Sequence, residues 1–229
     1  MLTIQTEMVA FPSSADTTPG YLARPSDTNK HPAIVVIQEW WGLVPHIKDV
    51  VERFAREGFV ALAPDLYHGE IAEEPDQARK LAMALDRARA VQEISAAAAY
   101  LKSLDATFPK KIGVVGWCMG GGLSLSTAAS SSDVGAVVAF YGRPLDANDT
   151  AKLRVPVLGL YAEKDHGIPT EAVGAFENEL KQNNITHSIH IYPGTEHAFF
   201  NETRPEIYDA AAAEDAWGKT LAWFRKYLV

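Results

Sequence analysis

Cysteine and long hydrophobic runs are the scarcest features of this sequence. One cysteine among 229 residues excludes a disulfide within the chain, which is typical of a reducing compartment. No apolar run approaches the roughly 18 residues that a membrane-spanning helix needs. Met1–Ala10 has neither the basic start nor the long apolar centre of a secretory signal. We therefore predict a soluble protein of the cytoplasm with no membrane partner.

Basic residues are also few, with 21 lysines and arginines against 29 aspartates and glutamates. The net charge of −8 argues against nucleic acid as a partner. No Gly-Lys-[Ser/Thr] follows Gly120–Gly122, and no G-x-G-x-x-G opens a helix after the first buried strand, so nucleotide-binding loops are absent. His187 and His190 would point to opposite faces of a strand, which argues against a metal site. The sequence predicts neither a metal nor a cofactor.

What the sequence does contain is a regular alternation of apolar, β-branched runs with helical segments. Short antiparallel strands are predicted at Leu2–Val9 and Gly20–Ala23, around a polar turn at Pro12–Pro19. Buried strands are predicted at Ala33–Ile37, Phe59–Ala63, Gly135–Phe140 and Val155–Tyr161, and two further strands at Ile112–Val115 and Ser188–Tyr192. Helices are predicted at His46–Glu57, Met119–Ser130 and Pro169–Gln182. The segment Gln77–Leu104 is predicted to be helical, as one helix or as two broken near Asp86–Ala90. A final helix has its large apolar side chains on one stripe, namely Trp217, Leu221, Phe224 and Leu228.

This alternation predicts an α/β fold with a mostly parallel central sheet and helices on both faces. Residues 1–229 are predicted to form a single domain with no large lid insertion. In such sheets ligands bind beyond the carboxyl ends of the strands. Reactive side chains are therefore expected directly after a strand.

The segment Gly116-Trp117-Cys118-Met119-Gly120 lies between a predicted strand and a predicted helix. It matches the nucleophile-elbow pattern G-x-S-x-G, with cysteine in place of serine. Such a turn places the sulfur near the first N–H groups of a helix, which favour a thiolate and later an oxyanion. The alternative interpretation is a structural cysteine in a glycine-rich turn.

Other strand ends carry polar side chains that fit the same chemistry. Glu39 and Trp40 follow the Ala33–Ile37 strand, Asp165 follows the strand that ends at Tyr161, and His197 lies past the last strand. Nucleophile, acid and histidine occur in the chain order of α/β-hydrolases. In that chemistry the histidine transfers protons and the aspartate fixes its tautomer.

The oxyanion would be bound by the backbone N–H groups of Trp40 and Met119. Glu163 competes with Asp165 for the acidic role. The histidines that compete with His197 are His166, His187 and His190.

Several stretches together give the chain a resemblance to the dienelactone hydrolase family of α/β-hydrolases over essentially its whole length. They are Gln38-Glu39-Trp40-Trp41-Gly42, Ala63-Pro64-Asp65-Leu66-Tyr67, Gly116-Trp117-Cys118-Met119-Gly120-Gly121 and Gly194-Thr195-Glu196-His197-Ala198-Phe199. The resemblance implies an α/β-hydrolase fold and a Cys118–His197–Asp165 triad that hydrolyses lactones and other esters without a cofactor. It also implies that Glu39 contacts the resting thiol.

The sequence departs from this family at the two arginines that hold the carboxylate of a dienelactone. Asn201 stands four residues past His197, where one arginine is expected, and Pro75 aligns with the other. Asparagine does not replace a bidentate arginine. Arg79 and Arg143 are nearby alternatives, and Arg143 follows a strand near the mouth of the site. We therefore expect neutral esters and lactones to be the better substrates.

Aromatic side chains are expected to line an apolar substrate pocket, although some of them belong to the core. They are Trp40, Trp41, Tyr67, Trp117, Tyr141, Phe199 and Phe200. A thiolate is a better leaving group than an alkoxide or an amide nitrogen, so activated esters and strained lactones are favoured over peptides. Activated phosphoesters are expected as a side activity.

Two hypotheses of different class follow from the sequence. The first is a small-molecule ester or lactone hydrolase that passes through a thioester. The alternative is a binding or redox-sensing protein of hydrolase fold whose cysteine is regulatory.

Overall fold

An eight-stranded sheet forms the centre of the protein in the computed structural model, which describes residues 2–13 and 16–229. Its strands are β1 (Ile4–Pro12), β2 (Thr17–Pro25), β3 (His31–Ile37), β4 (Val60–Pro64), β5 (Thr107–Trp117), β6 (Val134–Phe140), β7 (Val157–Ala162) and β8 (His187–Tyr192). Their order across the sheet is β1-β2-β4-β3-β5-β6-β7-β8. Strand β2 pairs antiparallel with β1 and β4, and the other pairs are parallel. The predicted mostly parallel sheet is confirmed.

Helices connect most of these strands. They are α1 (Pro45–Arg56), α2 (Pro75–Ala84), α3 (Arg87–Ser103), α4 (Met119–Ser130), α5 (Ala147–Thr150), α6 (Thr170–Gln182) and α7 (Ala210–Leu228). The helical stretch predicted over Gln77–Leu104 is two helices, because Leu85 and Asp86 are extended and the Asp86 carboxylate caps α3 by accepting two backbone N–H groups. The short helix α5 is not predicted by the pattern, since one turn is too short for an apolar stripe.

The sheet is covered on both faces, and alternate residues of each strand serve opposite layers. Ile34 and Val36 of β3 pack in a cluster with residues of α1 and α7. Val35 and Ile37 pack in a second cluster with residues of α3, α4 and α6. Because both faces are buried, the strands read as continuous apolar runs instead of alternating ones.

The first hairpin is longer than the sequence predicts. Strands β1 and β2 pair from Ile4↔Pro25 to Pro12↔Thr17, so the expected turn at Pro12–Pro19 narrows to residues 13–16. Ser14 and Ala15 within that turn lie outside the described residues. None of the described helices is long and apolar enough to cross a membrane.

The register of the parallel strands brings the predicted reactive residues to one edge. Ile37 at the end of β3 pairs with Gly116 of β5, and Trp117 pairs with Phe140 at the end of β6. The next pairs across the sheet are Phe140 with Leu160 and Ala162 with Tyr192. The segments that follow these strands therefore start side by side along the same edge.

Candidate active site

Cys118 occupies a strained turn between β5 and α4. Its backbone has φ 55° and ψ −117°, in a region that L-residues rarely adopt. A Cβ added at Gly116 would lie 2.1 Å from the Gly120 carbonyl oxygen, and one added at Gly120 would lie 2.4 Å from the Gln38 carbonyl oxygen. Both glycines are therefore required by the close approach of α4 to the strands beneath it.

Two N–H groups near Cys118 are available as donors. Met119 is the first residue of α4, so its N–H has no acceptor within the helix. The N–H of Trp40 donates to no acceptor in residues 2–13 and 16–229. Cys118 itself is held because its own N–H donates to the Phe140 carbonyl at 3.0 Å.

His197 and Asp165 form a direct pair. The distance from His197 Nδ1 to Asp165 Oδ2 is 2.5 Å. The other oxygen of Asp165 accepts the N–H groups of Gly167 and Ile168, at 2.9 and 3.0 Å. The carboxylate is buried, whereas His197 is partly exposed. Asp165 is thus fixed by its own loop and fixes the tautomer of His197 in turn.

The loops that carry this pair are bonded to each other. The Lys164 N–H donates to the Thr195 carbonyl at 2.9 Å. Glu163, the rival acid, accepts the Gly194 N–H at 2.7 Å and so supports the histidine loop without contacting the imidazole of His197. The register of β7 and β8, continued by these bonds, brings Asp165 and His197 together.

The rival histidines have other surroundings. His166 is exposed to solvent. His187 contacts the Ile185 carbonyl at 2.7 Å, and His190 contacts the Ser188 hydroxyl at 2.9 Å. Among these candidates the structure places His197 alone beside Asp165.

The electrostatics of His197 couple it to Cys118. Burial opposes the charged imidazolium, but interaction with Asp165 and Cys118 outweighs burial and raises the pKa of His197 to about 10. Cys118 is thus one of the neighbours that stabilise the charged form of His197.

Glu39 is a buried carboxylate at the end of β3. Its Oε2 accepts the Asn201 side-chain amide at 2.7 Å, and its Oε1 accepts the Tyr141 hydroxyl at 3.4 Å. Within the described residues no hydrogen bond joins Glu39 to the Cys118 sulfur, so the expected contact with the resting thiol is not seen. Asn201, noted in the sequence only as a missing arginine, instead holds the carboxylate of Glu39.

The pKa of Glu39 is raised above its ordinary value of 4.5, because burial opposes ionisation more strongly than nearby His46 and Asn201 favour it. Because its pKa is raised in the folded protein, Glu39 destabilises the fold increasingly as the pH rises above the pKa that this side chain has in the unfolded chain. Glu39→Gln keeps the shape of the side chain without the charge: its one amide oxygen can accept the Asn201 N–H, while its NH₂ group can only donate, so the Tyr141 hydroxyl oxygen must then accept. We expect its gain in melting temperature over the wild type to grow from about pH 5 to about pH 8. Calorimetry measures both melting temperatures. A difference between variant and wild type that shrinks over this pH range would contradict a buried charge on Glu39.

Several aromatic residues predicted for the pocket lie in the core instead. Trp117 and Phe199 are fully buried. Trp117 stacks on Phe140, with ring centroids 4.9 Å apart. This corrects the expectation that Trp117 and Phe199 bind substrate. The reason is the short strand-to-helix turn, which points the residue before Cys118 into the layer beneath α7.

Tyr141 and Tyr67, which the sequence also places in the pocket, are buried, Tyr141 against His197 and Tyr67 against Trp40 and Met119. Tyr141 is fully buried, and its ring centroid lies 5.0 Å from that of His197. Burial, together with the charges of Glu39 and Cys118, holds the pKa of Tyr141 well above its usual range, so its hydroxyl stays a donor. The hydroxyl of Tyr67 donates to the Trp40 carbonyl at 3.2 Å.

An apolar cavity of about 400 Å³ is lined by Trp41 and Asn201, and neither Cys118 nor His197 is among its lining residues. Its remaining walls are Val44, Pro45, His46, Ala72, Thr203 and Arg204. The Arg204 guanidinium lies 6.0 Å from the Trp41 ring centroid. Arg204 is not predicted from the sequence, since no spacing links it to a strand end.

The two arginines proposed from the sequence lie elsewhere. Arg143 is exposed and lines a separate cleft with residues of α6, and Arg79 is exposed on α2. In the described part of the chain, no three His, Cys, Asp or Glu side chains are grouped to hold a metal ion.

Comparison with known proteins shows the family of the chain. The model of the dienelactone hydrolase family matches residues 18–228. A relative from Aquifex aeolicus named "Putative carboxymethylenebutenolidase" is 35% identical, covering 97% of this chain and 99% of its own. A crystal structure from Klebsiella pneumoniae, named "Putative Dienelactone Hydrolase", has a TM-score of 0.90 at 30% identity, covering 98% of this chain and 100% of its own.

A second crystal structure shares the fold at lower identity. It is the dienelactone hydrolase-like promiscuous phosphotriesterase P91 from metagenomic libraries, with a TM-score of 0.90 at 22% identity and 99% coverage of both chains. The family match over residues 18–228, the relative and the Klebsiella structure together lead to one conclusion: the chain belongs to the dienelactone hydrolase family and is a hydrolase of carboxylic esters and lactones.

Proposed function

We propose that the chain hydrolyses small esters and lactones through a covalent thioester on Cys118, with His197 and Asp165 as the proton-transfer pair. The observation that carries this proposal is the His197–Asp165 pair beside a strained cysteine at the start of a helix. A regulatory thiol needs no histidine with a fixed tautomer, whereas a catalytic thiol does.

In the acylation step the Cys118 thiolate attacks the ester carbonyl carbon. A C–S bond forms, and the electron pair of the C=O bond moves to oxygen, where the N–H groups of Trp40 and Met119 stabilise it. When the tetrahedral adduct collapses, the C–O bond to the leaving group breaks. The His197 imidazolium donates its proton to the departing oxygen, so an alcohol or phenol is released and His197 is left neutral.

In the deacylation step neutral His197 accepts a proton from water as the water oxygen attacks the thioester carbonyl. The same two N–H groups stabilise the second oxyanion. The C–S bond then breaks, the carboxylic acid leaves and the thiolate–imidazolium pair is restored. Asp165 stabilises the imidazolium in both steps without itself taking the proton.

The chemistry of a thiol nucleophile favours substrates with good leaving groups. Thiolate is expelled more readily than an alkoxide, so the adduct of an unactivated ester returns to substrate. Aryl esters, enol esters and strained lactones avoid this return. The solved phosphotriesterase of the same fold supports a phosphotriester side activity, since a tetrahedral phosphorus centre fits an oxyanion hole.

Intact-mass spectrometry tests the proposal most directly. The protein is quenched in acid during turnover of neutral aryl esters and lactones, and we expect an acyl adduct that maps to Cys118. A regulatory cysteine would give no acyl adduct with any substrate and would react only with oxidants. Oxidants are scarce in the reducing cytoplasm that we propose for this single-cysteine protein.

Substrate charge gives a second test. Arg204 is the cation beside the cavity, but its guanidinium already lies 3.1 Å from the Glu206 carboxylate. Without a free bidentate arginine, a substrate carboxylate loses on the order of a hundredfold in affinity. The test compares two substrates: the aryl monoester of a dicarboxylic acid with its second carboxyl group free, and the same compound with that carboxyl group as a methyl ester. We expect the methyl ester to have the higher kcat/KM.

The matched variants are Arg204→Ala at the cavity and Arg143→Ala at the separate cleft. The expected preference for neutral substrates would be wrong if the wild type preferred the free acid. If that preference disappeared in Arg204→Ala and persisted in Arg143→Ala, Arg204 would be the residue that binds the carboxylate.

A further inference from the structure

One tyrosine hydroxyl connects both residues of the oxyanion hole. The Tyr67 hydroxyl donates to the Trp40 carbonyl at 3.2 Å and lies 3.6 Å from the Met119 sulfur. Trp40 belongs to the loop after β3, and Met119 begins α4. These two segments are far apart in sequence, so nothing in the local chain fixes one relative to the other.

The loop after β3 is held on both sides of Trp40, and on the side before it Glu39 accepts the Asn201 amide and the Tyr141 hydroxyl. The Trp41 carbonyl accepts the Ala72 N–H at 2.9 Å, and the first turn of α4 packs against the Gln38 carbonyl. The Trp40 carbonyl receives its hydrogen bond from Tyr67. The Tyr67 hydroxyl thus fixes the peptide that follows Trp40, while Glu39 anchors the residue that precedes the Trp40 N–H.

The turn that presents Tyr67 is held by buried polar groups. Asp65 accepts the Tyr67 N–H at 3.1 Å through one oxygen and the Gly69 N–H at 2.7 Å through the other. The Gln38 side chain accepts the Leu66 N–H at 3.3 Å. Asp65 and Gln38 are both buried, so these bonds are shielded from water.

A second anchor ties the same turn to α3. His68 has φ 52°, which a non-glycine residue adopts only when its surroundings impose it. Its Nε2 lies 3.0 Å from the carboxylate of Glu93, which also accepts the Arg89 Nε–H at 2.8 Å. Glu93 is buried although its side chain is polar, so this cluster fixes the position of the turn relative to α3.

We propose that Tyr67 is a positioning residue that holds Trp40 and Met119 in register as a pair of oxyanion donors. This inference rests on the thioester mechanism proposed above. It differs from the role expected from the sequence, which placed Tyr67 against the substrate. Burial, and then the charge of Cys118, raises the pKa of Tyr67 above its ordinary value, so the hydroxyl remains a donor throughout turnover.

Tyr67→Phe removes the hydroxyl and keeps the ring. Loss of a whole oxyanion donor lowers kcat by roughly a hundredfold or more, and a donor that is only loosened retains part of its effect. We therefore expect kcat for a neutral aryl ester to fall about tenfold while KM changes less than about twofold. The control is Tyr161→Phe, because the Tyr161 hydroxyl is buried without a partner in the described residues. That variant should keep the wild-type kcat.

Two further readouts separate positioning from a general loss of structure. An aldehyde inhibitor forms a tetrahedral adduct with Cys118 and uses the oxyanion hole, so its affinity should weaken by the same factor as kcat. Alkylation by iodoacetamide needs the thiolate but no oxyanion hole, so its rate should not change. Unchanged kcat in Tyr67→Phe, or an equal loss in alkylation rate, would overturn the positioning role. Activity in Cys118→Ala would instead overturn the thioester mechanism itself.

Discussion

Cys118→Ala is expected to abolish ester hydrolysis, with kcat/KM falling by on the order of 10⁴-fold or more, because no other group in the mechanism can form the covalent bond. The melting temperature should change little, since Cys118 is only partly buried and its thiol makes no side-chain hydrogen bond within the described residues. The measurement is the initial rate on an activated aryl ester, with intact mass to confirm that no acyl adduct forms.

Cys118→Ser is the informative companion. A hydroxyl must be deprotonated as it attacks, whereas the thiol can give up its proton beforehand to His197. We expect a strongly impaired enzyme with a detectable acyl adduct. Full activity in Cys118→Ala would eliminate the covalent mechanism, whatever the serine variant does.

His197→Ala is expected to lower kcat/KM on the order of a thousandfold or more, since it removes the proton donor of acylation and the base of deacylation together. It should also slow alkylation of Cys118, because the imidazolium that stabilises the thiolate is gone. Rates are measured on the same aryl ester, and alkylation is followed by intact mass.

His190→Ala is the matched control. His190 lies on β8, a few residues before His197, and contacts Ser188. It should retain nearly full activity. A large loss in His190→Ala, with little in His197→Ala, would assign the base to the wrong histidine. Effects of Cys118 and His197 substitutions are not expected to add, because the two act as one unit.

The sequence alone was sufficient for the layout of the fold because that layout depends on local patterns. Continuous apolar strands predict burial on both faces of a parallel sheet, and the observed clusters on either side of β3 show that burial. The glycines around Cys118 predict the strand-to-helix turn, since a Cβ at Gly116 or Gly120 collides with backbone. Strand order places Glu39, Cys118 and the later loops at one edge.

Contacts between segments distant in the chain were decided by tertiary structure. The choice of Asp165 over Glu163 depends on which carboxylate meets His197, 32 positions away, and the bond from Asn201 to Glu39 spans 162 positions. No periodicity encodes such pairs. The same is true of Tyr67 and Trp117, which the sequence predicts as pocket residues. In the structure the Tyr67 hydroxyl donates to the Trp40 carbonyl, and Trp117 lies in the core. Sequence therefore determined which groups stand at the ends of the strands, while side-chain direction and long-range packing decided what each of them touches.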